Sequence, residues 1–213
     1  MNWATRLLKA DANRKSRFHD LAGTRLPLNS LGSVPMAAFD MLLRSTGRRR
    51  LQPWISYRAT SELNVILHPE WRVLEFGAGM STLWLAKRAL FVLSIESNRD
   101  WYQWVCMQLK SRAITNVEVR LRQDPDSYAA AVHPQDGLFE LVLIDGDWRA
   151  RCVEPSLRAM SSEGLLYIDN IDAGGRDAAQ QLLSAAPGVE VRYYTDLAPG
   201  VGAPTTGMLA RIR

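Results

Sequence analysis

"VLEFGAGMST", residues 73–82, decides how the rest of the chain is read. An apolar, strand-like run carries an acidic residue, Glu75, and meets two glycines one residue apart, Gly77 and Gly79. Glycine lets a backbone turn tightly and approach a ligand closely. Ser81 or Thr82 can then cap a following helix. The pattern G-x-G-x-S is short of a full dinucleotide fingerprint, so alone it fits two things. One is a nucleotide-like cofactor held on backbone amides; the other is an ordinary strand-to-helix turn.

The chain downstream narrows the choice. "RVLEF" (72–76), "FVLSIE" (91–96), "VEVRLR" (117–122), "FELVLID" (139–145) and "GLLYID" (164–169) read as strands. Helical stretches follow each of them, at 81–90, 99–112, 125–132, 149–160 and 175–186. Five strand–helix pairs in alternation predict a parallel sheet with right-handed crossovers and helices on both faces. "VEVRYYT" (189–195) and "TTGMLARI" (205–212) close the chain as two more strands. Their connection is too short for a helical crossover, so they pair antiparallel. The expected fold is α/β: a doubly wound, mostly parallel seven-stranded sheet with a C-terminal antiparallel hairpin and an N-terminal helical extension.

Upstream, residues 1–20, 35–46 and 59–67 read as helices and 21–34 as a loop punctuated by Gly, Pro and Ser. Pro35 near a helix start and Gly47 after its end are the expected start and stop signals. The 213 residues suit one α/β domain with an extension. The division expected is 1–58 for a basic helical extension and 59–213 for the ligand-binding domain. No apolar run approaches the roughly 20 residues of a membrane span, and the first twenty residues lack a signal-peptide core, so the expected location is cytoplasmic. Two cysteines, Cys106 and Cys152, make a disulfide framework unlikely; Cys106 in "WVCMQL" reads as a small core residue. The net charge of +4 is uneven. Residues 1–58 carry 11 Lys/Arg against 3 Asp/Glu, and the remainder 15 against 19. The extension is therefore the part suited to touch an acidic surface, although a solvated helical face explains it as simply.

In an open α/β sheet, ligands bind at the carboxyl ends of the strands, around the point where the strand order reverses. Every predicted parallel strand here ends in a hydrogen-bond acceptor: Glu75 before the glycines, then Glu96, Asp124, Asp145, and Asp169 with Asn170. Glu75 suits a cationic ligand group better than a pyrophosphate. Glu96 lies 17 residues past Gly79, where a carboxylate can accept two ribose hydroxyls. Trp54 and Tyr57, just before the domain, can form aromatic walls or simply pack the extension on the sheet. His19, His68 and His133 are scattered and read as surface residues. The loop at 198–206 lies on the ligand side of the hairpin and can rim the site.

"VLEFGAGMSTLWLA", "SIE" and "LVLIDGD", in this order, resemble the class I, Rossmann-like S-adenosylmethionine-dependent methyltransferases. The resemblance covers about residues 55–213 and includes the closing hairpin. It implies that Glu75 and the Gly77–Gly79 turn with Ser81 hold the methionine end of S-adenosylmethionine. It assigns Glu96 to the ribose and Asp124 to the adenine region, with Asp145 also among the cofactor contacts.

"FELVLIDGDWRARCVEPSL" and "GLLYIDNIDAGG" are similar to the metal-carrying segments of catechol and caffeoyl-coenzyme A O-methyltransferases. That similarity implies a divalent ion, Mg²⁺, on Asp145, Asp169 and Asn170. Neighbouring strands lie about 4.8 Å apart, so their ends can share an ion. Two carboxylates and an amide oxygen are hard ligands suited to Mg²⁺. One departure matters. The lysine base expected three residues after the first metal Asp is Trp148 here, and the Arg149 that follows is not a usable base. Asp147, beside Asp145, is the nearest carboxylate able to take a proton. The alternative is a metal-free site whose strand-end polar groups cap turns. The expected function is O-methylation of a small-molecule hydroxyl, on an aromatic or sugar diol. The alternatives are a metal-independent enzyme acting on nucleic acid or protein, a non-catalytic cofactor-binding domain, and a nicotinamide-dependent dehydrogenase, which Glu75 and the closing hairpin disfavour. A nucleic-acid amine acceptor is disfavoured, because "IDGD" stands where an Asn/Asp-Pro-Pro-aromatic turn would be needed.

Overall fold

The computed structural model describes residues 13–186, 188–199 and 202–212. Seven strands form one sheet: β1 (Arg72–Phe76), β2 (Phe91–Glu96), β3 (Val117–Leu121), β4 (Phe139–Ile144), β5 (Met160–Ile168), β6 (Glu190–Leu197) and β7 (Pro204–Arg211). Their order is 3-2-1-4-5-7-6. β1 pairs in parallel with both β2 and β4, and β7 runs antiparallel to β5 and β6. The order reverses between β1 and β4, which places the crevice at their carboxyl ends. The helices are α1 (Val34–Ser45), α2 (Tyr57–Ile66), α3 (Met80–Leu85), α4 (Arg99–Ser111), α5 (Pro125–Ala129), α6 (Arg149–Ala159) and α7 (Arg176–Ala185).

The two faces of the sheet follow from the two-residue period of a strand. Leu74, Phe76, Ile95, Val142, Ile144 and Ile168 point to one face and are covered by Cys152 and Val153 of α6 and Leu182 of α7. Val73, Val92, Leu141, Leu143 and Tyr167 point to the other and are covered by Ala59 and Leu63 of α2 and Trp84 of α3. Both faces are buried, as a parallel sheet requires.

Several expectations are corrected in detail. Helix α3 stops at Leu85 rather than residue 90. Asn116 Nδ2 donates to the carbonyls of Ala86 and Ala89 at 2.9 and 3.0 Å, and Leu90 N bonds Trp71 O at 2.8 Å, which draws the chain into β2. Strand β5 begins at Met160, ahead of the predicted Gly164, and its pairing with β4 shifts register between Phe139 and Leu141. Cys106 is only half-buried on α4, and Cys152 is the buried thiol.

The extension differs most. Residues 1–12 of the expected first helix lie outside the described residues, and 13–19 form turns ending in an isolated bridge, His19 to Arg25. Asp20 Oδ1 accepts from Thr24 N at 2.7 Å and its Oδ2 from Thr206 Oγ1 at 2.7 Å, a buried contact that favours the turn over a helix. The expected loop at 21–34 contains a 3₁₀ turn, Leu28–Ser33. The expected boundary at residue 58 falls inside α2, and polar bonds sew the extension to the hairpin. Buried Asp196 of β6 accepts from Ser33 Oγ at 2.7 Å, Arg58 N at 3.0 Å and Leu197 N at 2.8 Å. Arg14 donates to Pro204 O and Arg17 Nη1 to Gly202 O, so part of the basic charge is used inside the molecule. No helix among the described residues is long and apolar enough to cross a membrane.

Replacing a buried acceptor strands its donors, which costs more than the bond itself contributes. Asp196→Ala should therefore lower the unfolding free energy by about 2–4 kcal/mol, read as a shift in urea midpoint. A loss below about 1 kcal/mol would show that other contacts hold the extension.

Candidate active site

The glycine turn is built from the strands outward. Gly77 has φ +103, in the region that favours glycine, and a Cβ there would lie 2.6 Å from the backbone of Gly146. A Cβ on Gly146 would in turn lie 2.1 Å from Tyr128 Oη. The loops after β1 and β4 therefore touch backbone to backbone, with Tyr128 wedged beneath. Gly79 is different. Its backbone is extended, and a Cβ would make only ordinary contact with Trp101.

Glu75 stands behind this turn. It is fully buried, and its Oε2 accepts from Thr82 Oγ1 and Ser94 Oγ, both at 2.5 Å. Thr82 Oγ1 also accepts from Gly79 N at 2.8 Å, so the carboxylate braces the turn through one hydroxyl. Oε1 is buried without a hydrogen-bond partner. Burial pushes the carboxyl up to about 7, against the pull of the hydroxyls of Ser81, Ser94 and Thr82. Glu75 does not line the cleft, whereas Gly77, Gly79 and Ser81 do.

The cleft has a volume of about 780 Å³, within the range of small-molecule sites. Glu96 closes its base. Its Oε1 accepts from Ser97 N at 2.9 Å and Asn98 N at 2.7 Å, which fixes the carboxylate's direction. Burial raises this carboxyl and the two amides pull it back. Trp101 Nε1 donates to Ala78 O at 2.6 Å, Trp101 and Trp104 stack at 4.6 Å, and Trp54 lies 6.1 Å from Trp101. These three rings form the aromatic wall. Tyr57, expected beside Trp54, is instead buried with its hydroxyl on Asp40 at 2.5 Å. Asp124 caps α5, accepting from Ser127 N at 3.0 Å, and is not among the residues lining the cleft. None of the three histidines reaches the cleft; His133 lines a separate groove between α5 and α6.

The remaining wall comes from the loops after β4 and β5, where Asp145, Asp147, Arg149, Asp169 and Asn170 meet. Asp147 is exposed and accepts from Ser97 Oγ at 2.6 Å. Trp148 turns away from the cleft in a left-handed conformation, φ +46, and packs edge-on against Tyr128 at 5.3 Å. Asp145, Asp169 and Asn170 do come together, and one side-chain oxygen of each is already engaged. Arg149 donates to Asp145 Oδ1 at 3.3 Å and to Asn170 Oδ1 at 3.1 Å. Asp169 Oδ1 accepts from Tyr167 Oη at 2.9 Å. Burial holds both aspartate carboxyls above their usual range, Asp169 further because of the Asp145 charge, and Arg149 opposes both shifts. Among the described residues no group of three His, Cys, Asp or Glu is disposed to hold a metal. The donor set expected for Mg²⁺ does not fit an ion, because a guanidinium sits against two of its three members.

Trp101, Trp104 and the clasp made by Arg149 escape the sequence reading. The tryptophans are three residues apart on one helix face just after Glu96, a spacing that could have pointed to them. Nothing local signals the bonds of Arg149, which reach across to β5.

No protein-family model and no curated protein sequence matches the chain. Solved structures match its fold. The O-methyltransferase TomG from Streptomyces achromogenes, involved in tomaymycin synthesis and in complex with S-adenosylmethionine, superposes with a TM-score of 0.60 at 19% identity, over 84% of this chain and 89% of that one. An O-methyltransferase from Bacillus cereus in complex with S-adenosylhomocysteine gives 0.62 at 16% identity, over 85% and 91%. An rRNA methylase from Streptococcus thermophilus gives 0.54 at 17% identity, over 74% and 96%. The chain therefore has the Rossmann-like, class I methyltransferase fold.

The buried carboxyl of Glu75 has a pH consequence. Its raised value means that the folded state binds the proton more tightly than the unfolded chain. The resulting stability is complete below the ordinary value of 4.5 and is lost as pH rises through about 7. Between about pH 5 and pH 8 the wild type should lose up to about 3 kcal/mol relative to Glu75→Gln, measured by denaturant unfolding. Parallel pH profiles for the two proteins would refute this.

Proposed function

We propose that this chain is an S-adenosylmethionine-dependent methyltransferase acting on an oxygen of a small molecule. The observation that carries the reading is the cleft at the carboxyl ends of β1, β2 and β4, where the glycine turn, the oriented Glu96 carboxylate and the tryptophan wall meet. Two proteins that share the fold are named as complexes with S-adenosylmethionine or S-adenosylhomocysteine, and both are named O-methyltransferases, which supports the oxygen acceptor.

When bound, S-adenosylmethionine supplies an electrophilic methyl group on a sulfonium. In this reading the Gly77–Gly79 turn and Ser81 bound the methionine end, and Glu96 accepts the ribose hydroxyls. Trp54, Trp101 and Trp104 offer π-faces suited to a positively charged sulfur. The acceptor oxygen takes the methyl group, the bonding pair stays on sulfur, and the acceptor proton leaves to a base. Asp147, an exposed carboxylate lining the cleft beside the loop after β4, serves as that base. Asp145, two residues earlier, is turned to Arg149. No step passes through Mg²⁺.

The basic extension reaches the cleft through Trp54, with the Arg49 guanidinium 4.9 Å above its ring. Arg44, Arg48 and Arg50 surround the same spot. This favours an acceptor, or an acidic surface presenting it, that carries negative charge.

Calorimetry separates this reading from its rivals. S-adenosylhomocysteine should bind and NAD should not, and Glu96→Gln should weaken S-adenosylhomocysteine about tenfold or more by removing a charged acceptor. Binding of NAD alone would overturn the assignment. Methyl transfer to RNA but not to hydroxylated small molecules would overturn the acceptor class.

A further inference from the structure

The Arg149 side chain is 14% exposed, and its guanidinium makes five hydrogen bonds to oxygen. Nε donates to Gly146 O at 2.9 Å. Nη1 donates to Asp169 O at 2.6 Å and Asn170 Oδ1 at 3.1 Å. Nη2 donates to Asp145 O at 3.2 Å and Asp145 Oδ1 at 3.3 Å. A guanidinium has five N–H donors, so each is matched by one bond. The acceptors all belong to the loops that follow β4 and β5. Asn170 is held to the same purpose from its other side, since its Nδ2 donates to Thr205 Oγ1 at 2.6 Å and leaves its oxygen toward Arg149.

Two of these five oxygens, Asp145 Oδ1 and Asn170 Oδ1, are side-chain oxygens of residues that the sequence assigns to a divalent ion. Mg²⁺ needs near-octahedral oxygen contacts at about 2.1 Å and gives up water reluctantly. An ion at such distances from Asp145 Oδ1 and Asn170 Oδ1 would overlap guanidinium nitrogens that already bond both atoms. The guanidinium supplies what the ion would: a permanent positive charge beside the Asp145 carboxylate, and a link between two strand ends.

We propose that Arg149 is a built-in replacement for the divalent cation, a positioning residue that clasps the ends of β4 and β5 and makes the site independent of metal. One consequence concerns the acceptor. With no ion to chelate, a vicinal diol has no advantage, and the acceptor binds through a single oxygen whose proton a side chain must take. That consequence rests on the methyl-transfer reading above; the replacement of the ion by Arg149 does not.

Mn²⁺, followed by electron paramagnetic resonance, tests the replacement directly. The wild-type protein should show no saturable site up to millimolar Mn²⁺. Arg149→Ala should gain one, binding about tenfold tighter or more than anything in the wild type. Adding Asn170→Ala to that variant should abolish it. Arg149→Gln, which keeps the bulk and removes the charge, is the second variant should Arg149→Ala fail to fold. EDTA should leave wild-type S-adenosylhomocysteine binding and methyl transfer unchanged. A wild-type Mn²⁺ site that Asn170→Ala removes would overturn the proposal, as would no gain of Mn²⁺ in whichever variant folds. Failure of the methyl-transfer reading would register separately, as absent S-adenosylhomocysteine binding with the Mn²⁺ result intact.

Discussion

The backbone of Gly77 lies directly on the backbone of Gly146, and the crevice depends on that contact. A side chain on either residue would meet the other loop at 2.6 to 2.8 Å. The contact brings the loop after β1 against the loop after β4 at the point where the strand order reverses. Tyr128 supports it from below, fully buried against Phe76 and Trp148. Close packing of this kind tolerates little change in volume, so the two loops hold one spacing. The walls of the cleft are placed relative to that spacing: Glu96 and the tryptophans on one side, Arg149 with its aspartates on the other.

The charges around the crevice follow a common logic. A buried carboxylate is costly unless something satisfies it. Glu96 is met by two amides, Asp196 by a hydroxyl and two amides, and the Asp145 and Asp169 pair by a guanidinium and a tyrosine hydroxyl. Glu75 is satisfied on one oxygen only. It braces the glycine turn through Thr82 rather than facing the cleft. The Arg149 guanidinium holds Asp145 Oδ1 and Asn170 Oδ1 together across the two strand ends.

The N-terminal extension belongs to the same construction. Its described part folds over the turn end of the hairpin, where Asp20 meets Thr206, Leu21 N donates to Asp172 Oδ2 at 3.0 Å, and Ser33 meets Asp196. Asp172 also accepts from Thr206 N at 3.1 Å, two residues beyond Asn170. The extension thus stands beside the cleft and shares its polar framework, and Trp54 is the residue at which basic surface and cleft meet.

What the amino-acid sequence determines alone is the alternation of strands and helices, the parallel sheet and the closing hairpin. Those rest on period-two apolar runs and on the length of connections, which are local properties, and β1 and β2 end at the residues the patterns mark. The row of acceptors at the strand ends is equally legible, because topology alone brings it to one edge of the sheet. The tertiary structure decides which of those acceptors line the cleft. Glu75 is screened by the turn it supports, and Asp124 is spent on a helix cap. Asp145 and Asn170 are taken by a guanidinium four residues from one and twenty-one from the other. Hydrogen-bond partners far apart in sequence carry no periodicity, so only the folded chain brings the Arg149 guanidinium against Asp145 and Asn170.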